Sequence, residues 1–80
     1  MRFVDQLRML DRLDALIQRK STGNAVQLSE RLNVSERTVY NLLNTLRELE
    51  AVIHYCYEQE SYYYEKAPVI WPFRKNEGEK

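Results

Sequence analysis

Two helix-start signals stand close together in this chain, and what lies between them admits few folds. Asn24 and Ser35 are both good N-caps, because a short polar side chain can accept a hydrogen bond from a backbone N–H of the first helical turn. Gln27 follows Asn24 where the second partner of a capping box belongs. The stretch Ala25 to Leu32 holds only about two helical turns, and Asn33-Val34 must then lead straight into the next helix. A turn that tight needs a residue tolerant of the left-handed backbone region. Glycine is the usual choice, and asparagine accepts the region better than most, so Asn33 is expected there. Two helices joined in this way meet at a steep angle. Ser29 is small enough to sit at their crossing, with Leu28, Val34, Val39 and Leu42 as apolar anchors around it.

The flanking segments complete a pattern. Phe3, Leu7, Leu10, Leu13, Leu16 and Ile17 recur at spacings of three and four, which predicts a helix over about 3–20 with one apolar stripe. Arg2, Asp5, Arg8, Asp11, Arg12 and Asp14 fall mostly off that stripe, as a solvated face of mixed sign. Ser21-Thr22-Gly23 breaks the pattern before the helix expected at about 25–32. After Ser35, Val39, Leu42, Leu43, Leu46 and Leu49 predict a third helix over about 35–49. Stepping about 100° per residue places Arg37, Asn41, Asn44 and Glu48 on its opposite face, flanked by Thr38 and Thr45. The period then changes. Ile53, Tyr55 and Tyr57 alternate with His54 and Cys56, and Tyr62-Tyr63-Tyr64 follows a polar break. Two antiparallel strands are expected, over about 52–57 and 61–66. Residues 1–75 are expected to form a single domain, with the apolar Pro68–Phe73 segment packed against it, and 76–80 a polar tail.

Composition removes several function classes. At 80 residues, a core is already marginal, and a catalytic cleft is hard to add to it. No nucleophile–base pair, metal-ligand cluster or glycine-rich phosphate loop is present, so no enzyme, metal or cofactor is expected. Cys56 is the only cysteine, which precludes an internal disulfide and suits a cytoplasmic setting. No apolar run approaches the length of a membrane span, and no signal-peptide core stands at the start. Twelve Lys and Arg balance twelve Asp and Glu, but unevenly. Residues 1–24 carry five basic and three acidic groups, whereas 51–66 carry three acidic groups and only Lys66.

Helix, short helix, tight turn, longer helix, hairpin is the order of a winged helix-turn-helix. That is an α+β fold, mostly α, with three helices followed by a two-stranded wing. The run Leu28-Ser29-Glu30-Arg31-Leu32-Asn33-Val34-Ser35-Glu36-Arg37-Thr38-Val39-Tyr40 resembles the signature of the small winged-helix transcriptional regulators. The N-terminal domains of the DeoR family and of the biotin-operon repressor are examples. The likeness covers about Leu10 to Lys66, and short stand-alone helix-turn-helix proteins are similar too.

The resemblance implies that the third helix is a recognition helix, entering the major groove by its N-terminal residues. It gives Arg37 to guanine or a phosphate, Asn41 to adenine, and Ser35, Thr38 and Tyr40 to phosphates. Asn24 would present helix-terminal N–H groups to a phosphate, and Arg31 would touch the backbone. Three departures from the family stand out. Asn41 occupies a position where relatives often carry a base. Glu50 replaces the usual glycine after the third helix. The wing carries Glu58, Glu60 and Glu65, so it is not expected to grip DNA by charge. Its tyrosines are read as sheet packing, His54 as structural and Cys56 as a small buried residue.

The function expected is sequence-specific binding of double-stranded DNA by a transcriptional regulator. A homodimer through the first helix or the 68–73 segment would supply two half-sites. Neither a membrane nor a small-molecule ligand is expected as a partner. The other class that fits is a winged-helix protein-interaction module that does not bind DNA, given the balanced charge and the acidic wing.

Overall fold

The structure, a computed structural model, describes residues 2–69. Helix α1 runs Phe3–Arg19, α2 Ala25–Leu32 and α3 Glu36–Glu48; strands β1 (Val52–Cys56) and β2 (Ser61–Lys66) follow. The strands pair antiparallel, with Ile53 opposite Tyr64, Tyr55 opposite Tyr62 and Cys56 opposite Ser61. Three helices and one hairpin make a winged helix-turn-helix, the architecture expected from the sequence. Ile70 to Phe73 and the tail 76–80 lie outside the described residues, as does the outer end of the expected 1–75 domain.

The core forms where the three helices meet the hairpin. Leu10, Leu13 and Ile17 of α1, Leu28 and Leu32 of α2, and Val39, Leu42, Leu43 and Leu46 of α3 are buried together with Ala51 and Ile53. Burying one such side chain contributes about 1.5–3 kcal/mol. The α1 stripe is shorter than expected. Phe3 is 73 % exposed and Val4 49 %, and burial begins only at Leu10. The first two turns of α1 run past the edge of the core. Asp14, expected on the solvent face, is buried instead. It accepts from the Tyr64 hydroxyl at 2.7 Å and from the Gln18 amide at 2.7 Å, so its carboxylate enters the interior already hydrogen-bonded.

Local chemistry sets the helix ends. Asn24 Oδ1 accepts from Gln27 N–H at 2.8 Å, and Gln27 Oε1 accepts from Asn24 N–H at 2.9 Å, a complete capping box. Asn33 takes the left-handed conformation (φ 59°) and ends α2 by donating its N–H to Glu30 O at 3.2 Å, while Val34 N–H reaches Ser29 O at 2.9 Å. Ser29 is buried at the crossing; its hydroxyl donates to Val26 O at 2.6 Å. Arg12 donates to Arg31 O at 3.1 Å, tying the carbonyl end of α2 to α1. Glu50, standing where glycine is usual, also takes a left-handed conformation (φ 73°).

A hairpin of two strands is marginal alone, and here the α1–α2 loop holds it. Thr22 N–H donates to Ser61 Oγ at 3.0 Å, and Tyr62 N–H donates to Thr22 Oγ1 at 2.9 Å. The Thr22 hydroxyl donates onward to Gly23 O at 2.8 Å, and the Ser61 hydroxyl to Tyr62 O at 2.9 Å. Thr22 and Ser61 are fully buried. This clamp does with side chains what a third strand would do with its backbone.

Thr22→Val keeps the shape and leaves the Tyr62 N–H without its acceptor. We expect a loss of about 1–3 kcal/mol of unfolding free energy, read from urea denaturation followed by circular dichroism. His54→Ala, which removes an exposed ion pair with Glu65, is expected to cost under about 1 kcal/mol. A Thr22→Val loss smaller than the His54→Ala loss would show that the clamp does not hold the hairpin. Ser35→Ala removes the α3 cap and is expected to cost about 1 kcal/mol in the same assay; an unchanged midpoint would refute that cap's role.

Candidate nucleic-acid interface

The outward face of α3 is set by what its inward face buries. Val39, Leu42, Leu43 and Leu46 anchor the helix. Arg37, Asn41, Asn44 and Glu48 are therefore exposed on the far side. Tyr40, 48 % exposed, lies on the flank facing the hairpin, and Thr38 and Thr45 lie on the other flank. The hydrophobic anchoring leaves no rotational choice, because turning α3 would bring Arg37 or Asn41 inward without a partner.

The side chains on this face differ in how free they are. Ser35 is occupied: its Oγ accepts from Thr38 N–H at 3.1 Å and donates to Thr38 Oγ1 at 3.1 Å. Thr38 keeps its own hydroxyl proton for an outside acceptor. The cap also leaves the first backbone N–H groups of α3, on Glu36 and Arg37, pointing outward. Arg37 makes no hydrogen bond or ion pair among the described residues, and neither does the Asn41 side chain. Thr45 Oγ1 donates to the Asn41 carbonyl at 3.0 Å. Arg47, by contrast, is tied back to the hairpin through Ile53 O at 3.3 Å and to Asn44 Oδ1 at 3.4 Å.

The structure divides the remaining sequence-derived candidates between two hollows. Arg31 borders a shallow one with Lys20, Gln27 and the hairpin tip residues Gln59 and Glu60. Asn24 and Tyr40 border a larger open groove of about 510 Å³ between the helices and the wing. The start of α2 (Asn24, Ala25, Val26) forms one wall, Glu36 and Tyr40 of α3 the floor, and Tyr55, Tyr57 and Tyr62 of the hairpin the other wall. The tyrosines brace one another: the Tyr55 ring meets Tyr57 and Tyr62 edge-on, each at 4.9 Å between centroids. The hairpin tyrosines do pack on the sheet, as expected, but they also wall this groove. The period-two alternation carried that signal for Tyr55 and Tyr57. Tyr62 could join them only once the register opposite Tyr55 was known.

The groove holds two of its phenols, those of Tyr55 and Tyr62, protonated. Tyr55 is pushed above its ordinary value by desolvation first, then by the negative charge of Glu60, with Tyr57 and Cys56 adding to it. Tyr62 is also raised, by desolvation first and then by the adjoining Tyr40 phenol, through charge and hydrogen bonding; Arg47 partly offsets this. These two are thus neutral donors at physiological pH. On the hairpin, His54 Nε2 and Glu65 Oε1 form a contact at 2.6 Å, the one ion pair among the described residues. Lys20 lies 5.8 Å from the Tyr63 ring centre, within cation–π range. Cys56 is half-buried rather than enclosed. Among the described residues no group of His, Cys, Asp and Glu could hold a metal ion, and no helix is long and apolar enough to cross a membrane.

A family model for the HTH domain matches residues 8–55. No curated protein and no solved structure matches the chain. The matched span runs from the second turn of α1, through the capped turn at Asn33 and the exposed face of α3, into β1. With more than half of its length in that span, this chain belongs to the helix-turn-helix (HTH) domain family.

Proposed function

We propose that this domain binds double-stranded DNA as a transcriptional regulator, with α3 lying in the major groove. One observation carries the reading. Arg37 and Asn41 stand exposed in the N-terminal half of α3, unengaged among the described residues, on the helix that the family uses for recognition. Arg37 reaches the O6 and N7 edge of guanine or a phosphate, and Asn41 pairs with adenine through its carboxamide. Thr38 and Tyr40 donate hydroxyl protons to phosphates and set the register. Ser35 acts through the cap that orients Thr38. Asn24 likewise caps α2 and leaves the Ala25 and Val26 N–H groups for a phosphate. Arg31 touches the backbone from the outer side of α2.

So few contacts favour a homodimer on two half-sites, acting in the cytoplasm. The exposed start of α1, with Phe3 and Val4, is one surface for pairing, and the 68–73 segment is the other. The same exposed apolar residues, with the balanced net charge, favour the second reading, a winged-helix module that docks a protein instead of DNA.

Selection of duplexes from a random pool separates the two. We expect a preferred sequence for the natural protein. Arg37→Ala and Asn41→Ala should each cost about 1–3 kcal/mol on that sequence and relax the preference at one position. No preferred duplex at low salt would reject DNA recognition and leave the docking module. A preference unchanged by either substitution would reject these two residues as readers.

A further inference from the structure

We propose that the tyrosine-walled groove between α3 and the wing seats a phosphate of the DNA backbone, held by neutral phenol and amide donors in place of lysine or arginine. The proposal rests on the DNA-binding reading above and adds the hairpin tyrosines, which that reading leaves unused, to the Tyr40 and α2 donors that it already turns to phosphate. When the N-terminal residues of α3 meet the base edges of the major groove, the backbone bordering that groove passes beside the same end of the helix. In this chain that position is the groove bounded by Asn24, Tyr40, Tyr55, Tyr57 and Tyr62.

Its chemistry suits an anion that must be held without charge. No Lys or Arg lines it, and the nearest cation on α3, Arg47, is tied to Ile53 O. The hairpin tip carries Glu58 and Glu60, so this wing cannot grip phosphate by Coulomb attraction. What it offers is hydroxyl protons. Tyr57 is 84 % exposed at the end of the wall, and Tyr55 is braced edge-on between Tyr57 and Tyr62. The opposite wall adds the first N–H groups of α2. The Asn24 side chain serves Gln27 N–H and leaves those of Ala25 and Val26 facing outward. A phosphate oxygen accepts from such neutral donors, in a bond weaker than one from a cation and one that releases no counterion. Two charges oppose the phosphate: Glu36, which lines the groove, and Glu60, whose charge acts on Tyr55.

The consequence is a grip that salt barely loosens, and this makes it measurable. Affinity is read against salt concentration on the duplex selected above, for the natural protein and for Tyr40→Phe, Tyr55→Phe, Tyr57→Phe and Tyr62→Phe. Phenylalanine keeps the ring packing and deletes only the hydroxyl. We expect Tyr57→Phe and Tyr55→Phe each to weaken binding roughly three- to tenfold on every duplex tested. The base preference and the salt slope should stay unchanged. Arg37→Ala is expected to flatten the slope by about one unit, and Glu36→Gln to strengthen binding roughly threefold. If Arg37→Ala weakens binding but all four phenylalanine variants match the natural protein, the groove is not a phosphate seat while the DNA reading stands. If the variants change base preference instead of affinity, the phenols read bases and the proposal is overturned. If no variant and no natural protein binds a preferred duplex, the DNA reading has failed first, and this proposal with it.

Discussion

The hydroxyl clamp between Thr22 and Ser61 is the contact on which the rest of the molecule turns. The hairpin has only two strands, and no strand between α1 and α2 is available to extend it. Without the exchange of N–H and hydroxyl groups between Thr22 and Ser61–Tyr62, the hairpin would rest on Ile53, Ala51, the rings of Tyr62 and Tyr64, and the bonds to Asp14 and Arg47. The clamp and the Tyr64–Asp14 bond fix β2 along α1 at two heights, so its direction as well as its position is determined. Asn24 begins α2 two residues beyond Thr22, and Tyr62 follows Ser61. The same clamp therefore sets the distance between the two walls of the groove.

Local features of the sequence were legible because their causes are local. Asn24, Gln27 and Ser35 satisfy backbone groups three residues away. Asn33 takes its conformation from its own side chain and the turn it occupies. The Val39–Leu46 stripe defines its inward face by period alone, so the outward placement of Arg37, Asn41 and Asn44 follows. What was not legible depends on contacts distant in sequence. Asp14 read as one of several alternating charges on α1, and only Tyr64, fifty residues away, explains its burial. Phe3 continued the apolar stripe in sequence, yet nothing in a helical period says where the rest of the core stops. His54 lacked a visible partner until the strand register set it opposite Tyr63, with Glu65 two residues further along β2. The tie of Arg47 to the hairpin is of the same kind, because its acceptor is a carbonyl of β1, which leaves no trace in side-chain spacing.

The charge balance gains meaning from this geometry. Equal numbers of acids and bases could cancel in local pairs, but the described residues form a single ion pair, on the wing. Arg37 is thus not neutralised by a neighbour in contact with it. Acids and bases mix along α1, and Glu58 and Glu60 stand together at the hairpin tip, while the outward face from Arg37 to Asn44 is carried mainly by carboxamides. Such a surface offers hydrogen-bond geometry more than a strong field, and would give little long-range steering of a charged partner.

The ends of the helices have a consequence of their own. Lys20, Asn33 and Glu50 each follow a helix with positive φ, and Glu60 does so in the hairpin loop. A left-handed lysine or glutamate costs of the order of 1 kcal/mol relative to glycine. The core absorbs that cost, so the fold sits below the thermal ceiling its packing would allow. In a domain of this size one kilocalorie corresponds to roughly 4–8 °C of melting temperature. Lys20, Glu50 and Glu60 together therefore hold back a few such steps of thermal margin.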